Sequence, residues 1–216
     1  MDSVFRLPDR ETAGRELARH LANHQGALIL AIPRGGVEVA APIAEALDGE
    51  LDLLLTRKIG APFDPELAMG AVAPDGSLLL NDPLLRQLDL DPAVLHRQVE
   101  TARQEVVRRL RLYRGDRPLP SPSGRTVIVV DDGVATGFTV RAGIQWLRRA
   151  EPKTLVLAVP VAPPEVWTEL RQLVDDGVCL GTPQPFFAVG QFYTDFSPVE
   201  DERVIELLRR YGKGGP

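Results

Sequence analysis

A run of β-branched apolar residues, Val127 to Val130, ends abruptly in two carboxylates and a bend of small residues; Val127 to Thr139 reads VIVVDDGVATGFT. Such a run predicts a strand buried on both faces, as in a parallel sheet. Asp131 and Asp132 mark where it surfaces, and Gly133 to Gly137 make a tight bend with hydroxyls at Thr136 and, just beyond, Thr139. Val140, Ile144 and Leu147 then recur at helical spacing, which predicts a helix over about 138–150. Strand, acidic corner, bend and helix form one unit of an open α/β sheet, where ligands sit beyond the carboxyl ends of the strands.

The corner combines two chemistries. A tight turn opening a helix points backbone N–H groups and the positive end of the helix dipole at one spot, which suits a phosphate. Adjacent carboxylates repel phosphate and instead accept hydrogen bonds from vicinal hydroxyls or take a hard cation. Together they fit a ligand with hydroxyls at one end and a phosphate at the other, the layout of ribose 5-phosphate.

On these thirteen residues the chain resembles the type I phosphoribosyltransferases, whose motif is an apolar strand, two acidic residues and a loop ending in Thr-Gly-x-Thr. The resemblance implies that the ligand is 5-phosphoribosyl-1-diphosphate (PRPP). Asp131 and Asp132 would hold the ribose hydroxyls, and Val134, Ala135, Thr136, Gly137 and Thr139 would cradle the 5-phosphate. Response-regulator receiver domains also carry a strand ending in paired Asp, but they need a further Asp at the end of a later strand. Here the next apolar strand, Thr154 to Val159, runs into Pro160-Val161-Ala162-Pro163.

The rest of the chain supplies the sheet. Ala27–Ile32, Leu51–Thr56, Thr154–Val159 and Val178–Leu180 join the central strand as apolar segments alternating with helices. The predicted fold class is therefore α/β, a largely parallel five-stranded sheet flanked by helices, read as one domain over 1–216. Asp9 is placed to cap a first helix reaching about His24, Pro42 predicts a late start or a kink in the second, and 94–113 reads as a long helix with a salt-bridged outer face. Ser197-Pro198-Val199-Glu200 reads as a capping box before the last helix.

Arg34, Gly35 and Gly36 follow the first strand, where the resemblance places a pyrophosphate loop with a non-proline cis peptide, here matched to the Arg34–Gly35 bond. Arg57 and Lys58, past the second strand, suit a second hold on pyrophosphate; the chain's lysines are few, Lys58, Lys153 and Lys213. Met69–Ala73 and Leu78–Asn81 predict a hairpin across residues 74–77, inside a segment of about 58–81 that corresponds to the family's flexible lid. Glu66 is the lid carboxylate placed to act on a substrate. The tail from about 183 to 216 corresponds to a hood, and Phe186 and Phe187 are its acceptor-pocket candidates.

The resemblance implies displacement of pyrophosphate from C1 of PRPP by a nucleobase-like acceptor, assisted by Mg²⁺ held mostly by the ligand and water, with Asp132 and Glu66 as the catalytic carboxylates. Enzymes for 6-oxopurines carry an Asp mid-loop, where this chain has Ala135, which disfavours hypoxanthine and guanine. A PRPP-binding regulator without turnover is the alternative. The formal charge of −5 offers no case for nucleic acid, no apolar run is long enough for a membrane span, and the first ten residues lack a signal-peptide core, so the expected location is the cytoplasm. A homodimer is compatible with this reading. The single cysteine, Cys179, sits in an apolar run and reads as an inert thiol. His20 and His24 share a helical face without a third metal ligand, and no protein metal site is expected.

Overall fold

A computed structural model describes residues 5–88 and 90–213, with side chains at all of these positions except 65 and 66. The chain divides into two compact units, one running to Leu54 and resuming at Pro120, the other spanning Leu55–Leu119. In chain order, the first unit begins with α1 (Arg10–His20), β1 (Leu28–Ala31), α2 (Gly35–Ala46) and β2 (Glu50–Leu53). The second unit holds β3 (Arg57–Ala61), β4 (Asp64–Val72), β5 (Leu78–Leu80), α3 (Asp82–Leu88) and α4 (Pro92–Arg114). The first unit then resumes with β6 (Thr126–Val130), α5 (Phe138–Arg149), β7 (Thr154–Val161), α6 (Pro164–Arg171), β8 (Asp176–Gly181) and α7 (Asp201–Tyr211).

The five strands of the first unit lie in the order β2-β1-β6-β7-β8, every pair parallel. This is the five-stranded parallel sheet, flanked by helices, that the alternation of apolar runs predicts. Val127 to Val130 are fully buried, as a central strand covered on both faces must be. On one side of the sheet Leu30, Val129, Leu157, Ile144, Leu147 and Leu170 form a continuous core. The register pairs Ala31 with Val130. The loops that leave β1 and β6 therefore start side by side, at the point where the strand order reverses, which is where open sheets keep their ligands.

Local signals explain most element ends. Asp9 caps α1 by accepting from the Thr12 amide at 2.6 Å. Helix α1 stops at His20, shorter than expected, and α2 runs unbroken through Pro42. The two helices cross so tightly that a Cβ on Gly14 would lie 2.1 Å from the Val39 carbonyl oxygen and 2.5 Å from Pro42 Cγ. The capping box expected at Ser197–Glu200 does not form. Ser197 instead donates its amide and hydroxyl to Asp195 Oδ1, at 3.0 and 2.6 Å, and α7 begins at Asp201 without a side-chain cap. A short-range turn competes with helix initiation here, as it commonly does for Ser and Asp.

In the second unit β4 pairs with β5 across the expected turn, with Gly70 opposite Leu80 and Val72 opposite Leu78. Beyond that hairpin, β3 and β4 form a longer antiparallel pair joined at Pro62-Phe63, which the alternation of small and polar residues did not reveal. Arg57 and Lys58 thus begin a strand rather than a loop. Helix α4 is capped by Asp91, which accepts from the Ala93 amide at 2.8 Å, and its outer face is laced by Glu100–Arg103 and Glu105–Arg108/Arg109 pairs, as its charge pattern predicts. Among the described residues no helix is long and apolar enough to cross a membrane.

The α1–α2 crossing leaves no room for a methyl group. Gly14→Ala is expected to cost about 1–3 kcal/mol, read as a lower urea midpoint with an unchanged m-value.

Candidate active site

The corner after β6 is held from three directions. The Val134 amide donates to Val161 O at 2.9 Å, and its side chain is buried in the core beneath the bend. Gly133 lies under the hood, where a Cβ would come within 2.4 Å of Val189 Cγ1. Gly137 adopts φ of +74° at the start of α5, a conformation open to glycine at little cost. No side chain caps α5. Its first turn, with Ala135, Thr136 and Thr139 exposed around it, presents backbone N–H groups of the kind that can take an anion. The Val134 amide, by contrast, is already committed to β7.

The aspartates are packed against the loop after β1. A Cβ on Gly35 would lie 1.8 Å from Asp132 Oδ2, and one on Gly36 would lie 3.0 Å from the Asp131 Cα. The two glycines assigned to the pyrophosphate loop are therefore required for close approach to the acidic corner. The non-proline cis peptide is present, but at Pro33–Arg34, one bond before the expected Arg34–Gly35. Arg34 is part-exposed at the head of α2, with Nη1 3.5 Å from Asp201 Oδ1.

Arg10, which carried no signal in the sequence, completes the site. Its Nε donates to Asp132 Oδ2 at 2.8 Å, its Nη1 donates to Ser197 O at 2.8 Å, and its guanidinium lies 3.9 Å from the centroid of the Phe196 ring. Only 7% of Arg10 is exposed. Tyr193 adds a hydrogen bond from its hydroxyl to the Asp132 carbonyl oxygen at 2.6 Å. Burial, and then the neighbouring Asp132 charge, raise the Asp131 carboxyl well above its ordinary value of 3.8. Burial also raises Asp132, and Arg10 pulls it part of the way back.

The segment expected to form the hood pairs with residues near the start of the chain. Leu7 donates its amide to Phe192 O, and Thr194 and Asp195 donate theirs to Leu7 O and Pro8 O, each at 2.8 Å. Phe186 packs on Phe192 with ring centroids 4.8 Å apart, whereas Phe187 is 83% exposed. Beside Phe186 an open pocket of about 490 Å³ is bordered by Pro163, Pro164, Glu165, Gln184 and Pro185. In the second unit Arg57 and Lys58 line a groove of about 690 Å³ with Thr101, Glu105 and Arg108 of α4. The Glu66 side chain lies outside the described residues. Cys179 donates to Gly181 O, and burial pushes its thiol up to about 11, consistent with an inert role. Among the described residues no cluster of His, Cys, Asp or Glu could hold a metal by itself.

The raised Asp131 carboxyl carries a stability consequence. Because the folded state binds this proton more tightly than the unfolded chain, stability falls as pH rises from about 3.8 through the folded value. Asp131→Asn keeps an acceptor for the Asp132 amide and removes the buried charge. It is expected to raise the urea midpoint at pH 7, with the gain vanishing below pH 3.8.

Residues 71–196 match the family model for the phosphoribosyl transferase domain, more than half of the chain and including the whole acidic corner. A Mycobacterium tuberculosis protein provisionally named phosphoribosyl transferase Rv0571c is 42% identical over 204 residues, and a counterpart from a second strain of that organism matches equally. The alignment covers 94% of this chain but 46% of those proteins, so the chain spans about half the length of the curated relatives it matches. The crystal structure of TT1426 from Thermus thermophilus superposes with a TM-score of 0.85 at 42% identity, covering 96% of this chain and 99% of that one. By its sequence motif, its sheet and these relatives, the chain belongs to the phosphoribosyl transferase family.

Proposed function

We propose that the protein transfers the phosphoribosyl group of PRPP to a small nucleobase-like acceptor, releasing pyrophosphate. The observation that supports this best is the pairing of two largely buried carboxylates with the uncapped head of α5 at the end of β6. Carboxylate and phosphate would repel each other in one subsite, so the two features call for a ligand whose hydroxyls and phosphate lie apart.

In this reading Asp131 accepts from a ribose hydroxyl, and Asp132 supplies the second acceptor and negative charge beneath C1 as it becomes cationic. The turn from Val134 to Thr139 holds the 5-phosphate through the amides and hydroxyls beyond Val134. Arg34, Gly35 and Gly36 hold the departing pyrophosphate, with Gly35 and Gly36 allowing the main chain to come close. Arg57 and Lys58 are the basic pair assigned to pyrophosphate, the β3–β4–β5 region is the proposed lid, and Glu66 is its candidate carboxylate. The hood from about 183 onward, within a single 1–216 domain, offers the acceptor pocket beside Phe186, with the exposed Phe187 next to it in the chain. A ring there would stack on an aromatic face and meet the Gln184 amide.

The donor set fits Mg²⁺ in one way. With no protein cluster to cage it among the described residues, the ion would be held by PRPP oxygens and water, as this hard cation commonly is in phosphate sites. When bound, it would offset the charge on the leaving pyrophosphate.

The test mixes protein, Mg²⁺ and PRPP with a panel of bases and follows pyrophosphate release. Turnover on one acceptor is expected, weakest for hypoxanthine and guanine because Ala135 replaces a carboxylate. PRPP binding without turnover on any acceptor would favour the regulatory alternative. Asp131→Asn is expected to lower kcat/KM about 100-fold, the effect of losing a charged hydrogen-bond acceptor worth about 3 kcal/mol.

A further inference from the structure

Arg10 is the one cation sealed against the acidic corner among the described residues, and it comes from the first turn of α1, 122 residues away in sequence. It meets Asp132, the Ser197 carbonyl and the Phe196 ring at once, and Nη1 also lies 3.8 Å from Glu38 Oε2 on α2. A guanidinium is suited to this because its donors are fixed in a planar fork and its face stacks on aromatic rings. A solvated ion pair would contribute little, but this one is almost fully covered, with side-chain exposures of 8% for Arg10 and 16% for Asp132. Removing one partner of such a pair leaves a buried uncompensated charge.

We infer that Arg10 is a positioning residue of the PRPP site: it keeps Asp132 ionised and turned inward, and ties that carboxylate to the hood segment Asp195–Ser197. The inference rests on the PRPP reading of the corner. It makes the state of the acidic pair depend on a residue outside that pair, in the first turn of α1. It also gives the hood a direct mechanical link to the ribose end of the site, reinforced by Tyr193 on the Asp132 carbonyl.

Every charged neighbour enters the pH dependence. Asp131 and Arg10 act on Asp132 directly, and Glu38 of α2 and Tyr193 feel its charge; Asp195 and Asp9 act one step further out, on Glu38 and Tyr193 respectively. Arg203 of α7 balances Glu38 on its far side at 3.7 Å. The only cation hydrogen-bonded to Asp132 among these is Arg10. An ionised carboxylate is the stronger acceptor for ribose hydroxyls, so PRPP binding weakens as pH falls through the pair's titration. Without Arg10 that titration moves to higher pH.

The experiment measures Mg²⁺·PRPP affinity from pH 5 to 9 for the wild type, Arg10→Gln and Arg10→Lys, with the carboxyl titration of Asp132 followed by NMR in the free proteins. For R10Q the acid limb of binding and the Asp132 titration should both move up by about 1–3 pH units, the size of an opposite-charge effect at contact distance. The PRPP phosphates titrate alike in all variants, so the difference isolates the carboxylates. R10K should keep the limb near the wild-type position but speed amide exchange at 195–197, because one ammonium cannot replace the fork. If R10Q does not fold, R10Q/D132N should recover folding by removing the stranded charge. An R10Q protein whose limb and titration match the wild type would overturn the inference, as would a double variant no more stable than a misfolded R10Q. A wild type that does not bind PRPP would instead overturn the proposed function, and this inference with it.

Discussion

Two adjacent carboxylates at the mouth of a buried strand repel each other and lose hydration, and the structure around them is arranged to offset both costs. Arg10 supplies the opposite charge, Tyr193 occupies the Asp132 carbonyl, and the Asp132 amide turns back onto Asp131 Oδ1 at 2.9 Å. Even so, burial keeps both carboxyls above their ordinary range. Residual destabilisation of this kind is typical of a site shaped for a ligand rather than for stability.

The sheet makes that arrangement possible. Parallel pairing of β1 with both β2 and β6 places Ala31 beside Val130, so the loop carrying Arg34 to Gly36 and the corner carrying Asp131 and Asp132 emerge together. The approach is close enough that Gly35 has no room for a side chain, and the same holds where the hood settles on Gly133. In both places a glycine marks contact between two segments distant in sequence. A bulkier residue would separate the first turn of α2 from the acids, or Val189 from the bend.

The hood joins the ends of the chain to this centre. Leu7 and Pro8 pair with residues 192–195 through main-chain hydrogen bonds, and Arg10 then reaches from the first turn of α1 into the corner. Aromatic residues 186, 192, 193 and 196 divide their work between covering the core and holding polar groups in place. Phe187, next to them in the chain, stands mostly in solvent and does not border the pocket beside Phe186.

Periodicity determined the five parallel strands, the long helix α4 and the β4–β5 turn, because each depends on apolar spacing or turn residues within one short segment. The thirteen-residue corner was equally legible, since strand, acids and bend are contiguous. Other features depended on competition that a linear reading does not weigh. Ser197 chose an Asp195 turn over a helix cap, α2 absorbed Pro42 by packing on Gly14, and the small-residue stretch around Gly60 became a strand by pairing with β4. What only the tertiary structure decided is the charge balance of the site. Arg10 and Asp132 are 122 residues apart, and no local pattern links them; they meet because the sheet, α1 and the hood bring both into one water-poor space where a buried acid needs a cation.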